Sequence, residues 1–106
     1  MPTIYIIYSY ILYITSLDSG EPFHIHVVSR EFMDSNREPH SAKIWLGKFG
    51  EAEIAGNKGK IDLKELNNIV KNLKTRKDIY DRAVAVWCKL FGVKPSEIDF
   101  YKNFKK

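Results

Sequence analysis

Gly20-Glu21-Pro22-Phe23-His24-Ile25-His26-Val27 decides the reading of this 106-residue chain. A Pro-containing turn runs into an apolar stretch that carries two histidines two positions apart. In an extended strand, residues i and i+2 project to the same face, so His24 and His26 stand side by side. Two adjacent imidazoles can ligate a metal, shuttle protons or anchor a partner. No complete catalytic constellation surrounds them in the sequence.

Working outward, Leu17 to Pro22 is turn chemistry. Before it, Ile4 to Ile14 mixes Ile and Tyr with neither Gly nor Pro, and apolar residues occupy both side-chain registers. A strand or strand pair covered on both faces fits that pattern. Phe23 to Ser29 is the next strand, antiparallel to the first through the turn. Arg30 to Pro39, with Asp34-Ser35-Asn36 at its centre, reads as an exposed loop. Ala42 to Leu46 is a short strand with Ile44 and Leu46 on one side and Trp45 on the other. Gly47 to Gly50 permits a turn, and Glu51 to Ala55 is a weak further strand. Gly56-Asn57-Lys58-Gly59 closes the sheet region, its glycines tolerating positive φ.

The second half is helical. Asp62 with Glu65 three residues on is a capping-box pattern, followed by Leu63, Leu66, Ile69, Val70 and Leu73 at helical spacing, ending about Leu73 or Lys74. Thr75 with Asp78 predicts a second box and a second helix. Its apolar face runs from Ile79 and Tyr80 to Leu90 and Phe91 and stops at Gly92. Pro95 opens a short last helix ending near Phe104, with Lys105 and Lys106 at its C-terminal end. Strands first and helices second imply an α+β domain over 1–106. A small antiparallel sheet of three to four strands (1–57) packs against two main helices (58–92), and 93–106 is a C-terminal extension.

Composition bounds the function classes. The hydrophobic fraction of 44% supports a core without staples. Cys88 is the single cysteine, which fits a reducing, cytoplasmic setting, and it sits on a helical face as a small hydrophobe. The apolar start lacks a basic n-region and a cleavage site, so it reads as a strand and not a signal peptide, and it is too short to span a bilayer. No membrane association is expected. The net charge of +4 is uneven: residues 1–57 carry four basic side chains against seven acidic, and residues 58–106 carry thirteen against six. The basic half is the helical half. That asymmetry admits nucleic acid or an acidic partner, and equally a solvated helix surface.

The pieces together resemble the bacterial domain-of-unknown-function family numbered 4160. The likeness runs from Met1-Pro2-Thr3-Ile4 through Glu21-Pro22-Phe23-His24-Ile25-His26-Val27, where the family carries Pro-Pro-His-x-His-Val and Phe23 replaces the second proline. It continues in Ala42-Lys43-Ile44-Trp45-Leu46 and in Leu66, Ile69, Val70, Trp87 and Phe91-Gly92. The loop from Ser29 to Ser41 is longer than the family's, and the tail after Gly92 is added. The resemblance implies a small cytoplasmic protein, often one half of a two-gene, toxin–antitoxin-like module beside the family numbered 2442. It implies no reaction.

Two functional readings follow. The first is a non-catalytic interaction or regulatory module with a small protein partner or self-association. The Tyr-rich first strand, Tyr5, Tyr8, Tyr10 and Tyr13, would serve as an edge to which another chain adds. The second is a small His- or metal-dependent enzyme acting on RNA. His24 and His26 would carry that chemistry, His40 would assist, and Arg30, Lys43 or Tyr13 would neutralise phosphate. Zinc or another divalent metal would use His24 and His26, with His40, Glu21 or Glu38 as the third ligand. Against these stands a structural role for both rings. For nucleic acid, Lys64, Lys71 and Lys74 fall on one side of the first helix, Arg76 and Lys77 extend the surface, and Asn67 and Asn68 are the base-reading side chains.

Overall fold

The computed structural model describes residues 3–32, 34 and 36–102. Met1, Pro2, Ser35, Phe104, Lys105 and Lys106, on which parts of the sequence reading fall, lie outside them. Five strands form one antiparallel meander in chain order: β1 (Thr3–Ile7), β2 (Tyr10–Tyr13), β3 (His24–Ser29), β4 (Ala42–Leu46) and β5 (Ala52–Asn57). Two helices follow, α1 (Leu63–Thr75) and α2 (Lys77–Phe91). α1 lies over β5 and α2 over β1.

The sheet has one more strand than the three to four expected. The Ile4–Ile14 run folds into a hairpin, with Ile6 opposite Ile11 and Ile7 opposite Tyr10. The chain reverses at Tyr8, which takes a left-handed φ of 56°. No Gly, Asn or Pro marks that turn, so its apolar letters read as strand. β5 continues past the expected Ala55, and Gly56 pairs with Lys43 at a bulge. Neither Gly56 nor Gly59 takes positive φ; Lys60 does, at 54°. Gly59 is needed for closeness instead, because a Cβ there would overlap the His40 carbonyl.

β3 sets the layers. Ile25 and Val27 face the helices and are fully buried with Leu12, Ile44 and Leu46 against Leu66, Ile69, Leu73, Ile79 and Ala83. At about 25 cal/mol per Å² of apolar surface, each such side chain contributes about 1.5–3 kcal/mol by burial. Alternation sends His24, His26 and Val28 to the other face. There Val28 joins a second, smaller cluster with Ile11, Tyr13 and Phe32.

The Asp62 carboxylate caps α1 by accepting the Glu65 amide at 3.2 Å, but the Glu65 carboxylate accepts the Tyr10 hydroxyl, so only the Asp62 half of the first box forms. The second box does not form. Thr75 stays in α1 and donates its hydroxyl to the Lys71 carbonyl at 2.9 Å. Arg76 is the extended junction residue, and its guanidinium grips Asp78 at 2.7 Å, so Asp78 is unavailable to a Thr75 box. Gly92, at φ 66°, ends α2. After it, Pro95–Glu97 forms only a 3-10 turn rather than a helix. The segment then crosses the sheet end, where the Asp99 carbonyl accepts the Phe23 amide at 2.8 Å and Tyr101 stacks on Trp45 at 4.5 Å.

Candidate metal centre

The loop between β2 and β3 holds the acidic partner of the histidines. A 3-10 turn at Ser16–Asp18 is fixed at both ends. The Asp18 amide donates to the Thr15 carbonyl at 3.1 Å, and the Thr15 amide donates to Asp18 Oδ2 at 3.0 Å. Gly20 then turns the chain at φ 87°, which an L-residue rarely takes, and delivers Pro22 to the start of β3. Asp18 therefore sits over the strand from which both imidazoles project.

The two rings do share a face. Their centroids lie 5.0 Å apart, nearly perpendicular. His26 Nε2 lies 2.9 Å from Asp18 Oδ1 and 3.1 Å from Oδ2. A carboxylate only accepts, so His26 Nε2 carries the proton of that bond. His24 differs. Its Nδ1 is 2.7 Å from the Pro22 carbonyl, and a carbonyl only accepts, so Nδ1 is the protonated nitrogen. In its neutral form the ring then presents a lone pair at Nε2. That atom is 3.1 Å from Asp18 Oδ1, but its angle makes no hydrogen bond, and it is buried with no partner among the described residues.

Burial pushes the Asp18 carboxyl up. The neighbouring imidazoles of His24 and His26 and the Thr15 amide more than reverse that, holding it well below the usual carboxylate range. Both Nε2 atoms face this carboxylate.

Asp18, His24 and His26 each offer one ligand atom, all within 4.8 Å of one another. Zinc bonds of about 2.0–2.2 Å to nitrogen and oxygen put tetrahedral ligand atoms about 3.3 Å apart. The observed Asp18-to-imidazole separations of 2.9–3.1 Å reach that with a small outward shift. The Nδ1–H of His24 on a backbone carbonyl is the outer hydrogen bond that orients metal-bound histidines. Two imidazoles and one carboxylate suit zinc or another divalent transition ion and leave coordination positions open.

Aromatic rings wall the site. Tyr13 stacks on His26 at 5.1 Å, and Trp45 and Trp87 make T-shaped contacts with His24 at 5.6 and 5.5 Å. Ser41 Oγ donates to the Arg37 carbonyl at 2.7 Å, so the Tyr13 hydroxyl donates to Ser41 at 2.6 Å. Asp18 and His26, with Tyr13 and Ser41, line an open cleft, and the fully buried His24 sits next to His26 outside its lining. The cleft wall carries Asp18, Glu21, Asp34 and Glu38 against Arg37, Lys43 and Lys58. Lys43 pairs with Glu21, and Lys58 with Glu38 at 2.7 Å, so the cleft has no cationic excess for a phosphate chain.

The other expected residues go elsewhere. His40 stacks on Phe32 at 3.8 Å, and Glu21 and Glu38 are held by the lysines just named, so none of the three joins the imidazoles. Lys43 faces His26 across the strands but lies over the Trp45 ring at 4.5 Å. Cys88 is half-buried, and burial pushes its thiol up, away from thiolate chemistry. Lys64, Lys71 and Lys74 are exposed on α1, on the far side of the helix layer from the histidines. Arg76 and Lys77 are tied to Asp78 and Asp81. Asp18 is the residue the sequence reading passes over as a turn former. Its signal is an acidic side chain six and eight residues ahead of the two histidines, in the turn that feeds their strand.

No protein-family model, curated protein or solved structure matches this chain.

Proposed function

We propose that this protein binds one divalent transition metal ion through Asp18, His24 and His26 and presents it to the cleft beside Tyr13. One observation carries the reading: a fully buried imidazole nitrogen, His24 Nε2, has no hydrogen-bond partner and stands 3.1 Å from a carboxylate oxygen. Two acceptors do not sit together in a dry site unless a positive centre lies between them. A metal ion is such a centre. Bound there, it would supply Lewis-acid chemistry and lower the pKa of a coordinated water. Around it, Pro22 orients His24, Thr15 orients Asp18, and the Trp45 and Trp87 rings keep water from the inner side.

The test is metal titration of the purified chain, stripped with EDTA and followed with zinc and with cobalt as a spectroscopic substitute. One equivalent binds to the wild type. His24→Gln with His26→Gln abolishes stoichiometric binding, and Asp18→Asn weakens it at least tenfold. Absence of one-to-one binding, or its persistence in the double variant, overturns the proposal.

A second reading, the interaction module of a two-component bacterial system, has its own support. β1 is an outer strand without charge, and Ile6 is 46% exposed on it. Such an edge accepts another chain, either a small protein partner or a second copy, and the family resemblance adds the two-gene context. The lone Cys88 fits a cytoplasmic site of action for either reading. Sedimentation of the wild type and Ile6→Lys tests self-association. An unchanged mass in both removes the second-copy version.

A further inference from the structure

The metal centre leaves the cationic helix unexplained. On α1, buried Leu66, Ile69, Val70 and Leu73 define the inward stripe. At 100° per residue, Lys64, Asn67, Asn68 and Lys71 lie on the outward ridge, and Lys74 lies beside it one turn on. Lys64 and Lys71 are about 10 Å apart along the axis. The three ammonium groups have no carboxylate partner among the described residues, whereas Lys77 is held by Asp81 at 3.0 Å. The one acidic residue of α1, Glu65, is turned away to the Tyr10 hydroxyl. The ridge is therefore positive along its length.

A separate observation lies beside it. Tyr8 is 74% exposed, although a bulky residue at φ 56° is strained. The Asn68 amide reaches its hydroxyl at 3.5 Å, which places the exposed ring next to the ridge. Strain and exposure in one aromatic residue point to use rather than packing.

We infer that the outward ridge of α1, with Tyr8, binds a single-stranded nucleic acid. Lys64, Lys71 and Lys74 meet successive phosphates. Asn67 and Asn68 offer donors and acceptors to base edges between them. Tyr8 stacks on an unpaired base, a contact that a closed duplex does not offer. An acidic protein would use the lysines and leave Tyr8 without a role. The ridge lies across the sheet from Asp18, His24 and His26, so this binding is independent of metal.

The experiment measures anisotropy of a labelled 15-nucleotide oligouridine with the full chain in EDTA. Three phosphate contacts on a single strand give a salt slope of about −2, so raising salt from about 50 to 200 mM weakens binding about twentyfold. Lys64→Gln, Lys71→Gln and Lys74→Gln together remove most binding and most of the salt dependence. Tyr8→Ala costs about tenfold at fixed salt. Lys77→Gln, a single charge removed from a lysine already paired with Asp81, leaves both unchanged. All substituted side chains are exposed, and far-ultraviolet dichroism checks that each variant is folded. No binding at about 50 mM salt, a triple variant that binds like the wild type, or equal binding of polyglutamate, anionic vesicles or duplex of the same length overturns the inference.

Discussion

His24→Leu separates a metal site from a structural ion pair. In the metal-free protein, the substitution removes a buried acceptor with no partner, whose desolvation costs about 1–3 kcal/mol. It also removes the Nδ1–H bond to Pro22, with a net contribution of about 0.5–1.5 kcal/mol. Pro22 is half-buried, so its carbonyl can turn to water, and the Trp45 and Trp87 rings accept an aliphatic side chain. Asp18 keeps His26 and the Thr15 amide. The balance is a variant as stable as the wild type in EDTA, or more stable by up to about 2 kcal/mol.

Zinc reverses the order. At a hundredfold excess over Kd, a ligand that binds only the folded state adds about 2.7 kcal/mol, or about 10 °C in Tm for a domain of this size. The wild type gains that increment and the variant does not. Differential scanning calorimetry of both proteins, in EDTA and in zinc, gives the four melting temperatures required. If His24 is instead an imidazolium balancing Asp18, the substitution strands a buried anion and costs about 3–5 kcal/mol without metal. A variant that melts far below the wild type in EDTA, or one that zinc stabilises equally, refutes the argument.

Three further outcomes follow from other parts of the fold. The Glu65 hydrogen bond pushes the Tyr10 phenol up to about 12, and burial pushes Tyr80 to about 12. Both shifts favour the protonated phenol in the folded state. Their stabilisation is therefore complete below about pH 10 and fades as pH rises from there to about 12. Burial also pushes the Tyr13 phenol up, so absorbance at the phenolate band should show three late-titrating tyrosines, with Glu65→Gln returning Tyr10 toward its ordinary value and Tyr80→Phe deleting another. Tyr101→Ala removes a ring stack worth about 0.5–1.5 kcal/mol and opens Trp45, the wall of His24, to solvent. Metal should dissociate faster from it, and Tyr101→Phe should restore the wild-type rate. Gly59→Ala drives a Cβ into the His40 carbonyl and should cost about 1–3 kcal/mol in urea unfolding, with the Phe32–His40 stack disturbed.

The layer order was legible because it depends on period alone. Ile44 and Leu46 against Trp45, the Asp62 cap and the Gly92 stop are local patterns, and each holds. Features set by tertiary contact were not legible. The β1–β2 reversal rests on a left-handed Tyr8, which no turn propensity flags. Thr75 and Asp78 satisfy a capping-box pattern, yet Arg76 takes Asp78 and the Lys71 carbonyl takes Thr75. Half of the site was visible, because the shared face of two strand histidines is a matter of alternation. Its third member was not. His40, Glu21 and Glu38 are equally good ligands by type, and only the path of the Ser16–Pro22 loop places Asp18 within reach while pairing the two glutamates with lysines.

The same alternation constrains what the chain can do. Ile25 and Val27 must face the helices to build the core, so His24 and His26 project from the other side of β3, His24 meeting Trp87 near the C-terminal end of α2. A lysine on the outward ridge of α1 then lies beyond the helix, about 10 Å across, and beyond the sheet as well. A phosphodiester gripped by Lys64 and Lys71 therefore cannot also lie at the imidazoles, and the cleft beside them spends its own cations on Glu21 and Glu38. An RNA-cleaving enzyme that joins the two features would need a strand wrapped around the edge of the sheet. Metal binding and nucleic-acid binding are thus separable properties of opposite faces: EDTA should leave the second intact, and the lysine substitutions should leave the first intact.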